Sequence, residues 1–215
     1  MGARENILAR IRKLQGRSGL TSQAELDQMR AAIAQHQVGT QPSMPWSDVV
    51  ARFKEQCERL LTTHDAAASL AGVPAAVARF LHEHSLQTSV AGWPEFAALD
   101  WQGAGIAYAN RPANGDDATG ITGCFCAIAE TGTLLLLGGA ATPKVTALLP
   151  DTHIAVVRKD RIVRTMEDAF ALVRAEIGEL PRATFFISGP SRTADIEQTI
   201  VIGAHGPYRV HVVLI

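Results

Sequence analysis

The sequence is short of cysteine, of aromatic residues and of any surplus of one charge, and each shortage closes off a class of protein. Three cysteines, Cys57, Cys124 and Cys126, are too few and too odd in number for a disulfide scaffold and fit a reducing compartment. Cys124 and Cys126 share a face if the chain between them is extended. Two sulfurs with no further cysteine nearby do not fill a zinc or iron–sulfur site, so they read as small buried side chains. Twenty Lys and Arg against 21 Asp and Glu leave a net charge of −1, with no basic excess for nucleic acid and no like-charged tail. No apolar run approaches the roughly 20 residues that span a bilayer. The first eight residues carry charges where a signal peptide has its apolar core. A soluble cytoplasmic protein is the expectation. The Gly-x-Gly-x-x-Gly turn, the Gly-x-x-x-x-Gly-Lys-Ser/Thr loop and the Gly-x-Ser-x-Gly elbow are all missing. No cofactor is therefore predicted for this chain.

What the chain does have is apolar mass: 47% of 215 residues are hydrophobic, enough for one domain with an appendage. Ile7, Leu8, Ile11 and Leu14 recur at helical spacing and Gly16 ends that helix. Thr21 or Ser22 caps a second, with Glu25 at the capping-box position and a thin stripe of Leu26, Met29 and Ile33. Pro42 and Pro45 close this part, giving an N-terminal helical segment over 1–45. Two helices this small do not fold alone.

Residues 46–215 read as an α/β domain. Helices are expected over 47–62, 74–84 and 166–179, and short strands over 88–91 and 105–108. The Gly-, Asp- and Asn-rich stretch 112–123 reads as a loop. The unbroken apolar runs 133–137, 153–157 and 183–187 suit strands buried on both faces. With the helix at 166–179 between them, the last two suggest a parallel crossover. The end, 208–215, is a final strand. The fold class is α/β, a mostly parallel sheet covered by helices.

Polar groups gather at the ends of these strands, where open α/β sheets bind ligands. The loop Ser188-Gly-Pro-Ser-Arg-Thr-Ala-Asp-Ile-Glu197 offers Ser188, Gly189, Ser191 and Thr193 as hydroxyl and amide donors, and Arg192 as a fork for a carboxylate or phosphate. Asp195 and Glu197 open a helix whose N-terminus would help hold an anion. The competing reading is structural: Ser191 or Thr193 caps that helix and Arg192 pairs with Asp195 or Glu197. Glu130-Thr-Gly-Thr133 places a carboxylate beside a glycine turn, with Thr131, Gly132 and Thr133 able to meet an anionic oxygen. The alternative is a solvated Glu130 at an element's end. His205, with Gly206, sits in a Gly-Pro turn, where it exchanges a proton or shapes the turn. His153 reads as structural. His82 and His84, two apart on a helix, point to different sides and do not chelate.

At these residues the chain resembles the lactate-utilisation protein C family, the small LUD-domain proteins. The likeness rests on Ala129-Glu-Thr-Gly-Thr133, Leu148-Leu-Pro-Asp-Thr-His-Ile154, Ile187-Ser-Gly-Pro-Ser-Arg-Thr-Ala-Asp-Ile-Glu197 and His205-Gly-Pro207. The resemblance implies a fold related to the CoA-transferase and ribose-5-phosphate isomerase group. It also implies a role beside two iron–sulfur partner proteins in oxidising L-lactate to pyruvate, this chain carrying no cluster and binding a small anionic ligand. Glu130 and His205 become the candidate catalytic pair. Lys144 stands in Thr142-Pro-Lys-Val145, where the family pattern has an arginine-bearing stretch, and is the substitute cation. The alternative is a stand-alone CoA-transferase-like or isomerase-like enzyme with Glu130 as nucleophile, an analogy at the level of fold.

Overall fold

The computed structural model describes residues 2–17, 21–194 and 199–215, and the chain divides into two compact units, Met1–Met44 and Pro45–Ile215. The first unit holds α1 (Ala3–Leu14) and α2 (Gln23–Ala34), neither of which has a buried residue. Ser22 caps α2 as expected. Its hydroxyl accepts from the Glu25 N–H at 3.3 Å, and the Glu25 carboxylate accepts from the Ser22 N–H at 2.8 Å.

The second unit runs, in chain order, through α3 (Val49–Arg59), β1 (Thr63–Ala66), α4 (Val73–Glu83), β2 (Ser89–Gly92), β3 (Ala107–Asn110), β4 (Thr119–Thr122), β5 (Cys126–Ile128) and β6 (Thr133–Leu137). It continues through α5 (Val145–Leu148), β7 (Thr152–Val157), β8 (Ile162–Val163), α6 (Met166–Glu176), β9 (Thr184–Ile187), β10 (Arg192–Thr193), β11 (Val201–Ile202) and β12 (Arg209–Leu214). Asp48 starts α3 by accepting from the Val50 and Ala51 N–H groups, both at 2.9 Å. Pro74 sits in the first turn of α4, where a missing N–H does no harm.

Six strands form the central sheet in the order β1-β12-β7-β4-β2-β3, and every neighbouring pair is parallel. The interior strands β4 and β7 are buried along their whole length, as a parallel sheet covered on both faces requires. Residues 119–122 were expected within a loop and are instead the strand β4. Their glycine and two threonines hide the strand signal. The glycine has a packing reason: a β-carbon at Gly120 would run into the Thr146 carbonyl of α5.

A second sheet, β8-β5-β6-β9, corrects the expected crossover. β9 does not join β7; it pairs antiparallel with β6, Leu134 opposite Ile187. The partners of β7 are β12 and β4. The run Leu134–Leu137 is apolar because both faces of the strand are covered, as expected, although its neighbours are antiparallel. Leu134 and Leu136 belong to the main core with Phe53, Ile154 and Val212, while Leu135 faces the other way onto Cys126, Ala169 and Val173 under α6. Alternate residues thus serve two cores on opposite faces of one strand.

Candidate functional site

The C-terminal end of α3 organises the polar loops. After Leu60 the chain turns back through Leu61, at φ +62°, and the Thr62 N–H donates to the Cys57 carbonyl at 2.8 Å before β1 begins. Two glycine turns press onto this end. Gly132 has φ +66°, and a β-carbon there would lie 2.8 Å from Gln56 Cβ. Gly189 has φ +79°, and its β-carbon would lie 2.6 Å from the Leu60 carbonyl oxygen. Positive φ and close backbone approach together demand glycine at both positions.

Those two turns bring three hydroxyls into a chain. Thr131 Oγ1 lies 2.7 Å from Thr133 Oγ1, which lies 2.7 Å from Ser188 Oγ. Beside them the exposed Arg192 donates from Nη2 to the Leu60 carbonyl at 2.9 Å, so one arm of the guanidinium closes the helix end. Among the described residues the buried Thr62 hydroxyl has no hydrogen-bond partner. Ser191, Thr193 and Gly206 fall on the adjoining turn. The Ser191 N–H donates to Pro207, Thr193 pairs with Val201, and a β-carbon at Gly206 would sit 3.3 Å from Ser191 Cβ.

Glu130 is half-buried, and its N–H donates to the Arg164 carbonyl at 3.0 Å. His205 is exposed. Among the described residues no hydrogen bond or ion pair joins the side chains of Glu130, Arg192 and His205 to one another. Lys144 starts α5, with Nζ 5.4 Å from the Phe185 ring centroid, in a cation–π contact. Asp195 and Glu197 lie outside the described residues. The structure thus gathers Thr131, Gly132, Thr133, Ser188, Gly189 and Arg192 at one helix end, with Ser191, Thr193 and Gly206 next to it.

This corner is not at the carboxyl ends of the parallel strands, where ligand loops were anticipated. Ser188 follows an antiparallel strand of the second sheet, and Pro190 lines the same hollow as Thr63 and Arg209, the first residues of β1 and β12. A hollow of about 240 Å³ opens there, walled by Thr63, Phe80, His84, Pro190, Tyr208 and Arg209. His211 is stacked on Phe80 at 4.0 Å with Nδ1 2.8 Å from Thr63 Oγ1, and burial pushes its pKa down to about 4. His153, fully buried with Nε2 2.8 Å from Thr122 Oγ1, is likewise held neutral by burial, with a pKa of about 4. Its structural reading fits that contact. His84 Nδ1 reaches the Phe80 carbonyl at 3.0 Å, so His84 serves the end of α4.

The opposite, carboxyl end of the sheet carries a cleft that sequence reasoning missed. Its walls include Glu95, Phe96, Gly123, Cys124, Val156 and Arg158, and its volume is about 150 Å³. Glu95 stands in the single helical turn Pro94–Phe96 directly after β2. Although the residue as a whole is exposed, burial around its carboxyl raises its pKa, and the backbone of Gly123 beside it pulls the other way. A β-carbon at Gly123 would run into Glu95 Oε1. Arg158 follows β7 and is held by Asp160 through Nε at 3.0 Å and Nη2 at 2.9 Å. Burial also pushes the Cys124 thiol well up, so it stays protonated. The available signal was a carboxylate in Trp-Pro-Glu-Phe immediately after an apolar strand. It is a single residue, outside any dense motif. Among the described residues no three His, Cys, Asp or Glu side chains gather as metal ligands, and no helix is long and apolar enough to cross a membrane.

Residues 50–215 match the LUD domain family model. The chain belongs to the LUD domain family. A protein from Deinococcus radiodurans named Lactate utilization protein C is 43% identical over 44% of this chain and 45% of its own length. One of the same name from Bacillus licheniformis is 31% identical over 57% and 53%. The alignment thus spans about half the length of these curated relatives. A third of that name, from Bacillus velezensis, is 28% identical over 98% of this chain and 95% of its own. Among solved structures, a DUF162 family protein from Deinococcus radiodurans matches with a TM-score of 0.61 at 27% identity, covering 79% of this chain and 99% of that one. The α/β fold with a parallel central sheet, expected from the sequence, stands.

Proposed function

We propose that this LUD-family chain is the cluster-free component of a cytoplasmic system that oxidises L-lactate to pyruvate, acting with two iron–sulfur partner proteins. The observation that carries the reading is the domain match over 50–215 together with relatives repeatedly named Lactate utilization protein C. Within that role the corner at the end of α3 holds a small anion. Arg192 supplies the charge, with N–H donors beyond the one on Leu60, and the exposed Thr131 end of the hydroxyl chain supplies a neutral donor. Glu130 and His205, on the flanking turns, handle the proton. Neither side chain is engaged by the other or by Arg192, which keeps both available.

The test is deletion of the gene in its host with growth on L-lactate as sole carbon source. Growth should fail and return with the wild-type gene. Unimpaired growth of the deletion strain removes the reading. Complementation with Arg192→Ala and Glu130→Gln then asks whether the corner matters, and normal growth with both variants would leave the pathway role but discard the site.

A further inference from the structure

We propose that the cleft at the carboxyl end of the central sheet is a second, separate binding site, for a small monocarboxylic acid, with Glu95 and Arg158 as its polar pair. The topology is the first argument. From β2 the chain moves outward to β3, whereas from β4 it moves the other way to β7 and then β12, although β2 and β4 are neighbours. Where connections from adjacent parallel strands diverge, no crossover covers the strand ends and a crevice is left. Glu95 and Phe96 come from the turn after β2, Gly123 and Cys124 from the end of β4, and Val156 and Arg158 from the end of β7. All three strands that border the divergence therefore line the same cleft.

Size and chemistry narrow the ligand. A cavity of about 150 Å³ takes a molecule of about six non-hydrogen atoms. Phe96, Val156 and Leu70 give it apolar walls, which suit a short carbon skeleton. Arg158 brings the positive charge: its two bonds to Asp160 use two of five N–H donors. Glu95 brings a carboxyl packed against the Gly123 backbone. In its neutral form it donates a hydrogen bond to a ligand carboxylate, and in either form it accepts one from a hydroxyl. The thiol of Cys124 is a wall, not a nucleophile. The site involves no covalent step.

Titration of the ¹⁵N-labelled full chain with acetate, propionate, L-lactate and pyruvate, at constant ionic strength, tests this. At least one acid should shift the Gly123 and Cys124 amide signals with saturation. Arg158→Ala should weaken that binding at least fivefold, and Glu95→Leu should abolish it, while Glu95→Gln, which still donates and accepts, should retain it. Arg192→Ala should leave it unchanged. A lack of saturable shifts at the cleft amides in the folded wild-type chain overturns the proposal, as does equal binding by Arg158→Ala with an unaltered spectrum elsewhere. Binding lost only in Arg192→Ala assigns the acid to the corner of the proposed function instead, so the two sites fail separately.

Discussion

The two ends of the central sheet spend polar groups in different ways. At the amino end, hydroxyls, glycine turns and a guanidinium largely satisfy one another and the exposed carbonyl of α3. At the carboxyl end, Glu95 and Arg158 line a small cleft together with apolar side chains. The first arrangement is dense in sequence because one loop must close a helix end, support a hairpin and pass close to backbone. The second is sparse because each of three strands contributes one or two residues. Density of Ser, Thr, Gly and Arg in a sequence thus reports close backbone packing as readily as it reports a ligand.

The largest expected effect breaks the amino end alone. Gly189→Ala places a non-glycine residue at φ +79° with its β-carbon 2.6 Å from the Leu60 carbonyl. Positive φ costs about 1–3 kcal/mol before the clash is counted, so denaturant midpoints should show a loss of about 3 kcal/mol. Gly16→Ala, also at positive φ (+67°) but with open space around it, should cost only the conformational part. Equal losses at the two positions would show that close packing at the corner is not what Gly189 is for.

A comparable effect should come from pH, and it tests the sheet between the two ends. His153 is fully buried with its pKa lowered to about 4 from an unfolded value near 6.5. The unfolded chain therefore binds the extra proton first. Stability is fully present above about pH 6.5 and is lost as pH falls toward 4, by roughly 3 kcal/mol for a shift of this size. His211 adds to the same window with the same sign, its shift coming mainly from burial, with His84 and His64 lowering it further and Asp65 opposing. His153→Gln should flatten the stability–pH curve between pH 4 and 6.5. An unchanged slope in that variant would place the acid sensitivity elsewhere.

Arg192 is the residue on which the two readings of the amino end divide. If its guanidinium holds the anion, Arg192→Ala should weaken anion binding by about 1.5–3 kcal/mol, the range of a hydrogen bond to a charged group. If its bond to Leu60 is its whole purpose, calorimetry will show no change in binding and the loss will appear in stability instead. Arg192→Lys sharpens this, since a lysine keeps the charge but not the fork.

Much of this could be read from residues, and what could not has physical causes. The helices α3, α4 and α6 were legible because one face of each repeats apolar residues and Pro74 marks the start of α4; the caps Asp48 and Thr165 show only in the structure. β1 was missed because Thr-His-Asp-Ala is a short, polar, edge strand that pairs on one side only. β9 was found but placed in the wrong sheet. An unbroken apolar run says that both faces are covered and is silent about which strand lies alongside. Phe186, 41% exposed, shows that even the covering was incomplete. The corner was visible in Thr131, Thr133, Ser188, Gly189 and Arg192, whereas its location at the amino end depends on pairings between segments far apart in sequence. Glu95 and Arg158 belong to no dense motif; only the strand order brings them to the same cleft.

The smallest effect asks how tightly the hydroxyl chain is coupled. Ser188→Ala removes the partner of Thr133 Oγ1, which keeps its other contact, to Thr131, at 2.7 Å. A net hydrogen bond of this kind is worth about 1 kcal/mol. Thr133 is only 2% exposed, so the hydroxyl left behind has little access to water and the loss should not be smaller than that. The double variant Thr131→Val with Ser188→Ala measures the coupling. If the three oxygens act as one chain, the losses should fall short of additive or exceed it by at least about 0.5 kcal/mol. Strict additivity would mean that Thr133 serves its two neighbours independently, and that the chain carries no signal from the exposed Thr131 to the loop bearing Arg192.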